Sequence, residues 1–319
     1  MEHCRTLVDQ PTVYIPRPMK LFHPSLFRRP ELFFRPMQII RRVLWELKRP
    51  KKNVLVRLPW GLHVNVSPHD RIGASILKTG SYDTAVLECL YRLVDEGELC
   101  LDIGANFGLM SGVMAIATGE KGKVIAFEPH PEIALDLQEH IELWQSTPRL
   151  GTVQVSDNAV SETTGTAALE IPREFNCNRG AARISRPQET EGQAKNLIKV
   201  ETIRLDDFLD DAQAKVGMLK IDIEGHEKAA LSGAASLLHR GAIRDIIYED
   251  QVGHPSSVSK YLEEFGYKIY LIRKGLLKPM LMPPGTPLYE LGNFLATREP
   301  ERAENRLGKK GYRILGTLC

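Results

Sequence analysis

From residue 97 onward, short apolar runs take turns with segments whose apolar residues recur at helical spacing. Leu99–Ile103 reads as a strand, followed by a Gly-containing turn and a helix at 107–118. Lys123–Phe127 is the next strand and Pro131–Trp144 the next helix, and Val153 and Val155 mark a third strand. Val216–Ile223 is a fourth, with a helix from about 226 to 239. Arg244–Glu249 is a fifth, followed by a helix at 256–265 and strands near 267–272 and 293–297. Strands alternating with helices imply an α/β chain, a mostly parallel twisted sheet with helices on both faces. Upstream, residues 53–66 alternate around Pro59-Trp60-Gly61 as a hairpin does, and a helix is expected at about 83–95. Pro36 opens a helix over 37–48, in which Met37, Ile40, Val43, Leu44 and Leu47 recur at helical spacing. Residues 1–35 read as an irregular arm. The polar stretch 172–196 breaks the alternation and reads as a loop or lid over a site.

Composition adds an asymmetry. The chain has 319 residues, 43 % hydrophobic and 26 % charged, enough for a sizeable core and too apolar for a disordered chain. The formal net charge of +2 combines a basic front with an acidic remainder. Residues 1–60 hold 13 Lys/Arg and 4 Asp/Glu, a balance of +9, which leaves 29 and 36 for residues 61–319, a balance of −7. The expected organisation is a basic arm over 1–60, one domain over 61–300 with its core at 97–297, and a C-terminal tail over 301–319. The arm suits packing on the domain to close a pocket, an anionic membrane surface, or nucleic-acid phosphates. No RNA-binding motif accompanies the charge, which disfavours the last. No run reaches the length of a membrane span, and no signal-peptide pattern is present. Five cysteines without paired spacing or CxxC fit a reducing, cytoplasmic location, with Cys100 in the core.

Two stretches carry the chemistry. Leu99-Cys-Leu-Asp-Ile-Gly-Ala-Asn-Phe-Gly108 sets a tight loop between strand and helix. Gly104 and Gly108 let a ligand approach the backbone, and Asn106 tolerates positive φ where a glycine often stands. Asp102, at the strand end, would repel a pyrophosphate but suits a ligand with an amino group. Glu128 ends the second strand, 24 residues after Gly104, where an acid can accept hydrogen bonds from ribose hydroxyls. Asp157, after the third strand, could meet an adenine amino group. The second stretch is Leu219-Lys-Ile-Asp-Ile-Glu-Gly-His-Glu227. Asp222, Glu224, His226 and Glu249 fall at the carboxyl ends of adjacent strands, where open α/β sheets bind ligands. Asp222 is expected nearest the reacting group, Glu224 and Glu249 position substrate or a metal, and His226 is a candidate base. A divalent cation that lowers a hydroxyl pKa is a second route, and its ligands stay unassigned.

With these motifs, the chain resembles the FkbM family of S-adenosylmethionine-dependent methyltransferases. Further matching pieces are Ala126-Phe-Glu-Pro129, Asn158-Ala-Val-Ser161 with Gly165, Leu205-Asp-Asp-Phe-Leu209, Leu231 with Gly233, and Phe265-Gly-Tyr267. The resemblance covers about residues 80–297. It implies a Rossmann-like class I methyltransferase fold with an N-terminal extension, and O-methylation of a sugar, glycan or secondary metabolite. It places S-adenosyl-L-methionine on Asp102, Gly104, Asn106, Gly108 and Glu128. Two other readings are a nicotinamide-dependent oxidoreductase and a non-catalytic cofactor-binding scaffold working through the basic arm. The identity of the acceptor and the oligomeric state are not written in the sequence.

Overall fold

The computed structural model describes residues 29–48, 50–172, 175, 177–185, 196–209, 211, 213–285 and 292–316. Two helices, Pro30–Phe33 (α1) and Met37–Lys48 (α2), precede a hairpin of Val54–Arg57 (β1) and His63–Val66 (β2). Helices Arg71–Thr79 (α3) and Thr84–Leu93 (α4) lead into the alternating core. This runs Leu99–Ile103 (β3), Leu109–Thr118 (α5), Lys123–Phe127 (β4), Pro131–Trp144 (α6) and Thr152–Ser156 (β5). An inserted group follows: Ala159–Val160 (β6), Gly165–Ile171 (β7), Arg183–Ile184 (β8), Asn196–Ile203 (β9) and Leu205–Phe208 (α7). The core resumes with Val216–Ile221 (β10), Glu227–Ser232 (α8), Ala235–His239 (α9), Ile243–Asp250 (β11) and Ser257–Glu264 (α10). It closes with Lys268–Lys274 (β12), Pro279–Met282 (β13), Gly292–Thr297 (β14) and Pro300–Gly308 (α11).

Eight strands form the main sheet in the order β13-β12-β14-β11-β10-β3-β4-β5. β11, β10, β3, β4 and β5 run parallel, and β14 runs antiparallel between β11 and β12. Successive side chains point to opposite faces, so each strand feeds two cores. Cys100, Val124, Met218 and Ile247 pack with the hairpin, α4, α5 and α11 on one face. Leu101, Ile125, Leu219 and Ile246 pack with α8, α9 and α10 on the other. All six residues of β10 are buried. Each such Leu or Ile contributes roughly 1.5–3 kcal/mol through burial, which pins the strand order. The chain leaves β3 in one direction for β4 and β5 and returns through β10 to the other side. That reversal opens a crevice at the carboxyl ends of β3 and β10.

Three expectations change. First, residues 301–319 do not form a free tail. Helix α11 and the turn after it bury Ala303, Leu307, Tyr312, Ile314 and Leu315 in the first core. Residues 317–319 lie outside the described residues. Second, within the segment 172–196 the described Arg183–Ile184 pairs with β7 in a second sheet of order β6-β9-β7-β8. β7 and β9 pair antiparallel from Gly165↔Thr202 to Ile171↔Asn196, and Leu169 and Val200 form their own small core. Residues 186–195, the middle of the expected lid, lie outside the described residues. Third, the apolar stripe of α2 does not pack inward. Gln38 and Arg42 face the body, whereas Met37, Ile40, Leu44 and Leu47 are exposed. The first 28 residues of the arm lie outside the described residues.

Helix α3 was not foreseen, although its punctuation is in the sequence. Asp70 accepts hydrogen bonds from Ile72 N and Gly73 N, both at 3.0 Å, and Gly80 ends the helix at φ 80°. The helix expected over 226–239 is two short ones, broken at Gly233. A Cβ on Gly233 would lie 2.0 Å from Ser161 O, so the backbone of the inserted group sits directly against the break.

Candidate functional site

The glycine loop is built as a turn that only bare backbone can make. Gly104 N and Ala105 N both donate to Phe127 O at 3.0 Å, folding the loop back onto β4. Gly104 has φ 75°, and a Cβ there would meet Asp222 O at 2.0 Å. Asn106 has φ 51°, as its position requires, and its Oδ1 accepts from Phe107 N. Gly108 plays another part than expected. It does not line the cleft, and a Cβ there would strike Leu137 at 2.4 Å, so it lets α5 pack on α6.

Glu128 stands at the end of β4, buried at the cleft wall. Its Oε2 accepts from Asn106 N and its Oε1 from His130 N, both at 2.9 Å. Burial pushes its carboxyl up to about 7 despite those two donors. Asp102 lies behind the loop, fully buried and absent from the cleft wall. Ser111 Oγ donates to its Oδ2 at 2.5 Å, and its Oδ1 has no hydrogen-bond partner. Burial raises its carboxyl, against the opposing charge of Lys220, its register partner on β10. Asp102 thus sits behind the loop and is held by Ser111, outside the lining of the cleft. Asp157 is exposed and does not line the cleft; Asn158, the next residue, lines it instead.

The carboxylates after β10 and β11 do converge. Lys220 Nζ donates to Asp222 Oδ2 at 3.0 Å. Burial would lower the ammonium, but the charges of Asp222 and Asp102 raise it. Burial would raise Asp222, but Lys220 and a hydrogen bond from Glu249 outweigh it and hold Asp222 below the usual carboxylate range. Glu249 moves the other way: burial, its hydrogen bond to Asp222 and that residue's charge push it up to about 8. The two carboxyls therefore titrate as a pair, with Lys220 favouring the ionised form of Asp222 and burial with the Asp222 charge favouring the protonated form of Glu249.

Glu224 sits at φ 53°, an uncommon conformation for a residue with a side chain, and its Oε2 accepts from Gln251 Nε2 at 2.9 Å. Glu227 holds that turn, its Oε1 accepting from Ile223 N and Gly225 N at 3.1 Å. His226 lines the cleft and pairs through Nε2 with Ser161 Oγ at 2.9 Å. Asp206 accepts from Ser236 N and Leu237 N at 3.0 Å and so caps α9. These bonds tie three separated motifs into one wall. Among the described residues, no three His, Cys, Asp or Glu side chains gather as metal ligands.

Sequence reasoning missed the opposite rim. Arg71, Tyr82, Arg179 and Arg183 line the cleft. Arg71 opens α3, and Arg179 and Arg183 belong to the inserted group, so all three arginines sit on elements the hydrophobic pattern did not reveal. Arg179 donates to Asp136, and Arg183 lies 3.5 Å from Glu170. Arg71 is exposed and has no ion-pair partner among the described residues. The cleft is thus acidic at its floor and basic at its rim.

A mostly parallel sheet in which β14 and the edge strand β13 run antiparallel, a glycine loop after the strand at the reversal, and an acid ending the next strand make a Rossmann-like α/β fold. The sequence profile of the Methyltransferase FkbM domain matches residues 102–269, over half the chain, and the chain belongs to that family. It is a methyltransferase, for which the sequence resemblance implies S-adenosylmethionine as cofactor; the nicotinamide reading is set aside. The residues fit such a ligand: the cradle at Gly104 has no room for a side chain, and behind it the buried Asp102 Oδ1 has no hydrogen-bond partner among the described residues. The chain is 29 % identical over 181 residues to hexuronic acid methyltransferase AglP of Haloferax volcanii, covering 56 % of this chain and 67 % of that one. Among solved structures, it is similar to methyltransferase FkbM from Methylobacillus flagellatus, with 17 % identity, coverage of 73 % and 62 %, and a TM-score of 0.39. A SAM-dependent O-methyltransferase from Thermotoga maritima gives 14 %, 78 % and 93 %, with a TM-score of 0.39.

Proposed function

We propose that the chain methylates a hydroxyl on an acidic sugar or glycan. The observation that carries this reading is the Lys220–Asp222–Glu249 group in the cleft. A hydroxyl must lose its proton as its oxygen bonds to carbon, and a base works best with a pKa near the working pH. Glu249, pushed up to about 8, meets that requirement. Asp222, fixed by Lys220, keeps the proton affinity of Glu249 high and aims its carboxyl. When bound, S-adenosylmethionine would supply an electrophilic sulfonium methyl whose leaving group is a neutral thioether. Glu249 takes the proton of the acceptor hydroxyl as that oxygen is methylated. His226, the base expected from sequence, is engaged by Ser161 and serves in this reading to hold the wall.

Glu128 is the residue to hold the ribose. A carboxylate has about four acceptor sites, and two backbone donors leave room for two hydroxyls. Those hydroxyls bind the ionised form, so binding must release the proton that burial keeps on Glu128 below pH 7. Affinity for S-adenosylhomocysteine is expected to weaken as pH falls through about 7, approaching tenfold per pH unit. Calorimetry in buffers of different ionisation enthalpy should report the proton released. In the ligand-free protein the sign is opposite: a raised pKa contributes stability present below the ordinary carboxylate range and lost as pH rises through about 7. Affinity that stays constant from about pH 5 to pH 8 would remove Glu128 from this role.

The acidic acceptor is inferred from the arginine rim and from the sugar acid named for the Haloferax relative. Arg71→Ala is expected to raise KM for a uronate-bearing acceptor by about tenfold or more, the loss of a charged hydrogen bond, and to leave a neutral acceptor unaffected. The reading is tested by labelled-methyl transfer to uronic-acid glycosides, neutral glycosides, lipids and RNA, with and without EDTA. Transfer confined to RNA or lipid would overturn it, and loss of transfer in EDTA would replace Glu249 by a metal in the deprotonation.

A further inference from the structure

Helix α2 is amphipathic in the reverse sense for a helix on a protein surface. Its polar residues Gln38 and Arg42 are buried against the body, and Trp45 lies under Lys78 Nζ at 4.4 Å from the ring centroid. Four of its apolar residues point away: Met37, Ile40, Leu44 and Leu47 recur at spacings of three and four residues and are each 45–76 % exposed, and Phe33 at the end of α1 is exposed as well. That spacing places them on one side of the helix. Nothing among the described residues covers them. A continuous exposed apolar stripe marks an interaction surface.

We infer that this stripe seats the protein on an anionic lipid surface. The charge of the surrounding chain selects that partner over an apolar protein groove. Residues 35–57 contain eight Lys/Arg and a single acid, Glu46. Arg41 lies beside the stripe on the exposed side, and Lys51, Lys52 and Arg57 follow the helix. An apolar face bordered by cations is what a helix lying in the plane of a headgroup layer needs: the side chains enter the acyl boundary and the cations meet lipid phosphates. A helix of 12 residues is long enough to lie on such a surface and too short to cross it. The packing of Gln38 and Arg42 against the body lets the domain carry this face outward without unfolding.

The test is flotation of the full-length protein with phosphatidylcholine vesicles, plain or containing about 30 % phosphatidylglycerol. The wild type is expected to float with the anionic vesicles, to bind plain vesicles weakly, and to detach as salt is raised. Leu44→Glu with Leu47→Glu should weaken partitioning by about tenfold or more, as should Lys51→Glu with Lys52→Glu. Helical content and methyl transfer to a water-soluble acceptor should stay at wild-type levels in both. Equal flotation of wild type and variants, or no flotation of the wild type, overturns the inference. So does a stripe occupied by a second copy or by the chain's own first 28 residues. The leucine variants would then change the sedimentation coefficient or the unfolding midpoint, with no vesicle binding to lose.

Discussion

Replacing Glu249 by Gln is expected to lower kcat/KM for methyl transfer by about 10²–10⁴-fold, the usual contribution of a positioned base, while leaving S-adenosylhomocysteine affinity unchanged. The Gln side chain keeps the shape and one hydrogen bond to Asp222 but cannot take a proton. The pH profile separates this role from a structural one. In the wild type, activity should rise with pH through about 8, as Glu249 loses its proton and becomes competent. In Glu249→Gln that rising limb should disappear. Asp222→Asn should move it instead: the Asp222 charge is one of the causes that raise Glu249, so removing it shifts the limb toward lower pH. His226→Ala should leave the limb where it is. A profile that keeps its limb in Glu249→Gln, and loses it in His226→Ala, would hand the base role to the histidine. Stability provides a second readout. The raised pKa of Glu249 contributes stability that is full below the ordinary carboxylate range and lost as pH rises through about 8. Glu249→Gln should therefore flatten the decline of wild-type stability over that window.

Glu88→Ala should cost about 3–5 kcal/mol, because removing one partner strands a buried charge. Glu88 lies on α4 with no exposed surface. Its Oε1 accepts from Arg92 Nε at 2.5 Å and from Arg313 N at 2.9 Å, and its Oε2 accepts from Ile314 N at 3.0 Å. Arg92 in turn donates to Arg306 O at 3.1 Å and to Lys309 O and Gly311 O at 2.7 Å. One buried ion pair thus fastens the last helix and the turn after it to the body. Alanine would leave the Arg92 guanidinium without its counter-charge and two backbone donors without acceptors. Against a total stability of about 5–15 kcal/mol, that loss is a large fraction. The denaturant midpoint should fall with little change in slope. Glu88 is remote from the cleft wall, so the protein that remains folded should keep its kcat. A loss below about 1 kcal/mol would show that the apolar contacts of Ala303, Leu307 and Ile314 hold this end without the ion pair.

How much of this was legible in the sequence follows from how local each signal is. The strands β3, β4 and β10 are nearly continuous apolar runs because both their faces are buried, and such runs can be read directly. The loop from Gly104 to Gly108 shows itself through residues that tolerate positive φ, and the acids at the strand ends stand out against apolar neighbours. The two signals that failed were mixed or reversed. β7 and β9 have one open face and a thin core, so their alternation is diluted by polar residues such as Glu170, Lys199 and Glu201. The apolar stripe of α2 was read correctly as a stripe, but periodicity cannot say whether a stripe faces the protein or the solvent. Residues 301–316 looked like a tail because their apolar content is sparse, and they are anchored by hydrogen bonds to Glu88 and Arg92, more than 200 positions away.

The sequence by itself determined the alternation of strand and helix, the loop at 104–108, and the presence of Glu128, Asp222, Glu224 and Glu249 at strand ends. Backbone sterics and hydrophobic period act over a few residues, so these features survive without knowledge of the fold. Only the tertiary structure decided which of those acids meet. It set Glu249 against Asp222 and Asp222 against Lys220, and so raised the proton affinity of Glu249. It placed Asp102 behind the loop, turned Asp157 outward, made Gly108 a packing position, and brought Arg71 to the rim. Each of these depends on distances between residues far apart in the chain and on the burial that sets their charge.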